Sequence, residues 1–197
     1  MGENEFNIEY IKKLASEMSK TILVPYEDLP RYDFFLSQVI DYLNDKFSEE
    51  KYTNNIVQNY IKSNVITKPE DGKKRGYTKL HLVQLVMLSY MRPILTTEEI
   101  SKVFRLAFNE INDRTDDIIS WEDAYKMFTD IQSHSFDDFI TSEYFDEVKL
   151  SKFIEDSCDN DKDKERILVF LVVMTLIAQA SSIKKLVQKI VNEYSIE

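Results

Sequence analysis

Residues 52–88, YTNNIVQNYIKSNVITKPEDGKKRGYTKLHLVQLVML, hold the reading that decides the fold. Thr53 offers a side-chain oxygen of the kind that caps a helix N-terminus. After it, Ile56, Val57, Tyr60 and Ile61 recur at helical spacing and form one apolar stripe. Asn54, Asn55, Gln58, Asn59 and Lys62 occupy the other face. The pattern predicts a short helix that packs on one side and shows amides on the other. Beyond it, Val65 and Ile66 read as the start of a short strand, Pro69 and Gly72 turn the chain, and Gly76 and Tyr77 bring it back. Two arms around a glycine-containing tip predict a small β-hairpin, a wing. From Leu80 to Met91 the chain is strongly apolar and predicts a buried helix, which Pro93 stops.

Upstream, Tyr32, Phe35, Leu36, Val39, Ile40, Leu43 and Phe47 predict a helix from Arg31 to the polar SEEKY turn. Phe6, Ile8, Ile11, Leu14, Ala15 and Met18 predict another over 6–23, ending in the extended LVPYEDLP link. Downstream, Thr96 and Glu99 fit a capping box that opens a helix through Ile100, Val103, Phe104 and Phe108. Ser120–Asp123 and Ser135–Asp138 repeat that pattern and predict two more helix starts. The run DSCDNDKDKE leads into a long final helix. Its first half is apolar all round, and its second half carries a stripe of Ile183, Leu186, Val187, Ile190 and Val191. The expected fold is all-α: a winged helix-turn-helix domain over 1–108 with a small β-hairpin wing, then a C-terminal helical bundle over 109–197.

Composition agrees with that class. Three glycines and four prolines are too few for the many tight turns of a sandwich or barrel. No basic segment followed by an apolar run opens the chain, and the longest apolar run, ILVFLVVMTLIA, is short for a bilayer span of roughly 20 residues. The expectation is therefore a cytoplasmic protein without membrane contact. A single cysteine, Cys158, excludes an internal disulfide. The formal net charge of -10 argues against indiscriminate coating of nucleic acid. That charge is unevenly spread. Residues 55–82 hold Lys62, Lys68, Lys73, Lys74, Arg75 and Lys79 against only Glu70 and Asp71, whereas residues 110–165 are strongly acidic.

The amide face and the basic loop together have the chemistry of a DNA reader. Asn and Gln can each make two hydrogen bonds to an adenine edge, and Lys and Arg neutralise phosphates. The competing reading is a solvated helix face beside a loop that keeps the chain soluble. Enzymatic constellations are absent from the sequence: His81 and His134 stand apart, His81 reads as a packing or capping residue, and Cys158 has acidic neighbours that disfavour its thiolate. DNDKDKERILVF starts like a calcium loop but has Lys164 where glycine is needed and Phe170 where the closing glutamate is needed. Neither metal nor cofactor is expected. The aromatics Tyr125, Phe128, Phe136, Phe139, Tyr144, Phe145 and Phe153 read as core, with a ligand pocket as the alternative.

The segments LPRYDFF, NNIVQNYIK, KRGYTKLHL and TTEEI resemble a YkrK-like family of uncharacterised bacterial proteins, itself similar to MerR-type winged-helix domains. The resemblance covers about residues 29–106. It puts Gln58 and Asn59 where MerR-type helices carry Arg then Tyr, Tyr60 on the second tyrosine, Lys62 on a basic position and Asn64 on a usual glycine. Lys73, Lys74 and Arg75 become the wing, with Gly76 and Tyr77 closing it. The resemblance implies a transcriptional regulator that binds double-stranded DNA through Asn54, Asn55, Gln58, Asn59, Lys62, Lys68, Lys73, Lys74, Arg75 and Lys79. Reading two half-sites implies a homodimer, for which the final helix offers its apolar stripe. The rival is a helical interaction module that keeps the scaffold and does not bind DNA.

Overall fold

The computed structural model describes residues 24–47, 51–69, 76–141 and 161–194, together with Lys13. These residues are all-α. After a 3-10 turn, Tyr26–Asp28, come α1 (Leu36–Lys46), α2 (Asn54–Lys62), α3 (Lys79–Met91), α4 (Thr97–Arg105), α5 (Trp121–Thr141) and α6 (Asp161–Tyr194). The chain divides into two compact units, one of residues 1–21 and 132–185, the other of 22–131 and 186–197. The boundary expected after residue 108 falls inside the second unit, because Phe108, Ile111, Trp121 and Tyr125 share its core.

α3 is the centre of that second unit. Leu82, Val83, Leu85, Val86 and Leu88 are all buried on it, so it has no solvent face and no amphipathic stripe. Burying each such side chain contributes about 1.5–3 kcal/mol relative to exposure. α1 packs on both α2 and α3, contributing Val39 and Leu43. One buried polar side chain on α3 organises the chain around it. Gln84 accepts from the Thr67 amide at 3.0 Å and donates to Thr67 Oγ1 at 2.7 Å. Thr67 Oγ1 in turn donates to the Ile111 carbonyl at 2.8 Å.

The wing requires correction. Val65 and Ile66 form no strand: both amides bond the Tyr60 carbonyl, at 2.9 and 3.3 Å, and so close α2. Tyr77 instead pairs with Phe34 in an isolated antiparallel bridge, through N–H···O bonds of 2.8 and 3.3 Å. That pairing holds Phe34 extended, so α1 begins at Leu36 rather than at Arg31. The hairpin tip, including Gly72, lies outside the described residues.

Helix starts follow their caps where the chain arrives from extended geometry. Thr53 Oγ1 accepts from the Ile56 amide at 3.3 Å. Thr96 and Glu99 form the reciprocal box, with Thr96 N–H to Glu99 at 2.8 Å and Glu99 N–H to Thr96 at 3.3 Å. Ser120 and Asp123 cap α5, the Asp123 amide donating to Ser120 Oγ at 3.0 Å. Ser135–Asp138 opens nothing, because the residues before Ser135 are already helical and α5 runs through to Thr141. The helix expected over 6–23 lies outside the described residues apart from Lys13, which is helical.

The tail of α6 departs from its expected use. Val191 is buried, Val187 packs on the core of the second unit, and Gln188 donates to Glu99 at 3.1 Å. Two of the five stripe residues are therefore used within the chain. Tyr125 is also core: it is fully buried and donates to the Val24 carbonyl at 2.7 Å. Phe128 stacks edge-on against Tyr90 at 5.2 Å. Of the other C-terminal aromatics, Tyr144, Phe145 and Phe153 lie outside the described residues, as does Cys158.

Candidate functional site

α2 is held firmly and shows one face. Val57 and Ile61 are buried, and Thr53 caps the start. At its end Asn64 adopts φ 53, the left-handed region. Asn64 N–H bonds the Ile61 carbonyl at 3.1 Å and Val65 N–H the Tyr60 carbonyl at 2.9 Å, the paired bonds of a Schellman cap. Asn is the residue after glycine that tolerates this geometry best, and it stands where the resemblance puts glycine. Asn54, Asn55, Asn59 and Lys62 point outward and are exposed. Residues 51–69 contain Lys51, Lys62 and Lys68 and no acidic residue, in a chain of net charge -10. Lys51 and Lys68 are both exposed. Lys51 escaped the sequence reading, although the acid-free run around it was visible.

Not every expected contact residue joins that face. Gln58 is half-buried and donates to Tyr77 Oη at 3.2 Å, which ties α2 to the bridge. Burial pushes the Tyr77 phenol up, and the Gln58 bond opposes that shift. Lys79 is placed elsewhere: its Nζ sits 3.6 Å above the ring of Tyr26. Burial, then repulsion from Arg31, holds the Lys79 ammonium below its usual range. Lys73, Lys74 and Arg75 lie outside the described residues. Arg92, which sequence reasoning passed over, stacks over Tyr52 at 4.3 Å and lines a small hollow with Asn59 and Tyr60. Its place beside Asn59 and Tyr60 comes from tertiary packing, which no local signal reports.

His81 is buried and accepts the Thr78 amide on Nδ1 at 3.0 Å, so it caps its own helix. Its ring also meets Tyr77 edge-on at 5.3 Å. The segment from the bridge into α3 is thereby fixed on both sides.

The fold and this face define a class: a helical domain presenting one short amide-and-lysine helix. The chain belongs to the family described as domain of unknown function DUF1836, whose model matches residues 24–128. The matched stretch lies wholly within the second unit and carries α2 and its supports. No curated protein and no solved structure matches the chain. No helix among the described residues is long and apolar enough to cross a membrane.

Proposed function

We propose that the second unit binds double-stranded DNA as a regulator of MerR-like winged-helix type, with α2 lying in the major groove. The observation that carries the reading is the acid-free, lysine-flanked outer face of α2 on an otherwise acidic chain. A helix with its side chains is about 10–12 Å across, which suits a groove about 12 Å wide. Asn54, Asn55 and Asn59 supply base-edge hydrogen bonds in this reading. Lys51, Lys62 and Lys68 meet phosphates, joined by Lys73, Lys74 and Arg75 of the loop. Gln58 acts through Tyr77, as the clip that fixes the helix. In this reading the protein works in the cytoplasm as a homodimer and is not an enzyme.

The rival is an interaction module that does not bind DNA. It is favoured by the engagement of Gln58 with Tyr77 and of Lys79 with Tyr26, which removes two expected contacts from the face. Retention of genomic fragments across a salt series separates the two. About five phosphate contacts predict a log–log slope of about -4 to -5. If no fragment is retained even at low salt, the regulator reading is wrong.

A further inference from the structure

The rotation of α2 about its own axis is fixed. Val57 and Ile61 are buried on its inner side. Thr53 caps its start at 3.3 Å, and the left-handed Asn64 closes its end. One flank is held by Gln58, which donates to Tyr77 Oη at 3.2 Å. Tyr77 is itself buried and bridged to Phe34, so that flank does not roll. Each residue turns an α-helix by about 100°. Counted from the midpoint of Val57 and Ile61, Asn59 lies directly opposite, with Asn55 and Lys62 within about 60° of it. All three are exposed and form one line at spacing i, i+4, i+7. Asn54 is exposed too, but on the first turn it sits only about 40° from the packed side.

An asparagine side chain offers an acceptor oxygen and an NH2 donor side by side. In the major groove only adenine answers both from one base, with its N7 acceptor and N6–H donor. Guanine shows two acceptors, cytosine a donor, and thymine an acceptor and a methyl group. Asn55 and Asn59 stand about 6 Å apart along the helix, at 1.5 Å per residue. Successive bases of a strand are about 3.4 Å apart. Two side chains so placed meet base pairs no more than about two steps apart. Lys62 ends the same line, with three donors and no acceptor, and suits a phosphate.

Resting on the DNA reading of α2, we infer that Asn55 and Asn59 determine its specificity, and that each half-site holds two A·T pairs no more than about two steps apart, one adenine under each asparagine. Lys62 holds the adjoining phosphate. Asn54, on the flank, adds little to the choice of base. Gln58 is a positioning residue: its bond to Tyr77 sets the rotation of α2 and so aims both asparagines.

The full chain is mixed with random-sequence duplex DNA at low salt, and the retained fragments are sequenced. Enrichment of two A·T pairs at that spacing is expected. Asn55→Ala should flatten the preference at one pair and Asn59→Ala at the other, each by about 5- to 100-fold, while total retention changes less. Asn59→Arg should turn the preferred base at its position from adenine to guanine, a gain that a misfolded variant does not show. Gln58→Ala should blur both positions together. Lys62→Gln should weaken all sequences alike and lower the salt slope by about 1, and Lys46→Gln, at the end of α1, should change nothing. Retained fragments without the paired A·T preference, or with a preference that neither asparagine variant moves, overturn this inference and leave DNA binding standing. Retention of no fragment at all overturns the DNA reading, and this inference with it.

Discussion

Asn64 is the residue on which the end of α2 turns. A left-handed backbone costs an ordinary residue about 1–2 kcal/mol, a cost that glycine escapes and Asn partly offsets. Asn64→Gly is therefore expected to leave thermal stability unchanged or slightly raised. Asn64→Val should lower it by about 1–2 kcal/mol, read by chemical denaturation, and equal stability of the two variants would remove the argument. Only the family resemblance pointed to this position, because nothing in the sequence around Asn64 marks a positive φ. Two tyrosines give a second test. Burial, then the charge of Tyr42, pushes Tyr90 from 10.0 to about 12, and burial pushes Tyr125 up still further. Both phenols stay protonated in the fold at a pH where the unfolded chain has released its protons. The unfolded state then binds fewer protons, so stability falls as pH rises. Their contribution is complete below about pH 10 and declines progressively above it. Tyr125→Phe should cost about 1 kcal/mol at neutral pH, for the lost bond to Val24, and flatten the alkaline decline. Denaturant midpoints from pH 9 to 11, about one unit either side of the free phenol value, measure both effects.

At the scale of elements, α2 carries the functional argument. Under the proposed reading, reversing Lys62 and Lys68 together to Glu would remove two phosphate contacts and add repulsion. DNA binding should be lost or strongly weakened, and the salt slope of any residual binding should shrink by about 2. Folding should hardly respond, because both side chains are exposed. A large drop in melting temperature would mean that the face is structural. α2, α3 and α4 were legible because their signals are local: Thr53 and Thr96 cap, Pro93 stops, and apolar spacing marks the packed side. The wing was misjudged because pairing is not local. Tyr77 looked for a partner in Val65–Ile66 and found it in Phe34, well upstream, while the Val65 and Ile66 amides went to Tyr60. Lys79 was grouped with the basic loop for the same reason. It is near that loop in sequence, yet Tyr26 takes it, and no spacing rule links those two positions.

At the scale of the whole molecule, the proposed reading of two half-sites needs a surface that can pair two copies. The tail of α6 turns Val187 and Val191 inward, and Gln188 pins it to Glu99. Its outer side keeps Ile183, Leu186, Ile190 and Tyr194, which are 56%, 58%, 44% and 67% exposed. Those four recur at helical spacing and form a narrower stripe than the sequence implied. A second copy of the same stripe, running antiparallel, would bury it with two-fold symmetry, as reading two half-sites requires. Four half-exposed side chains fall short of the ~800 Å2 per partner of a standard interface, so the pairing should be weak, in the micromolar range. Sedimentation of the full chain should show a dimer at tens of micromolar that dissociates on dilution. Leu186→Glu combined with Ile190→Glu should yield a monomer with unchanged helical content, since neither side chain is part of the buried core. DNA affinity should fall with it, because each protomer would then hold only one half-site. A parent chain that stays monomeric at those concentrations would leave α2 without a symmetric partner. The proposed regulator would then have to read a single site.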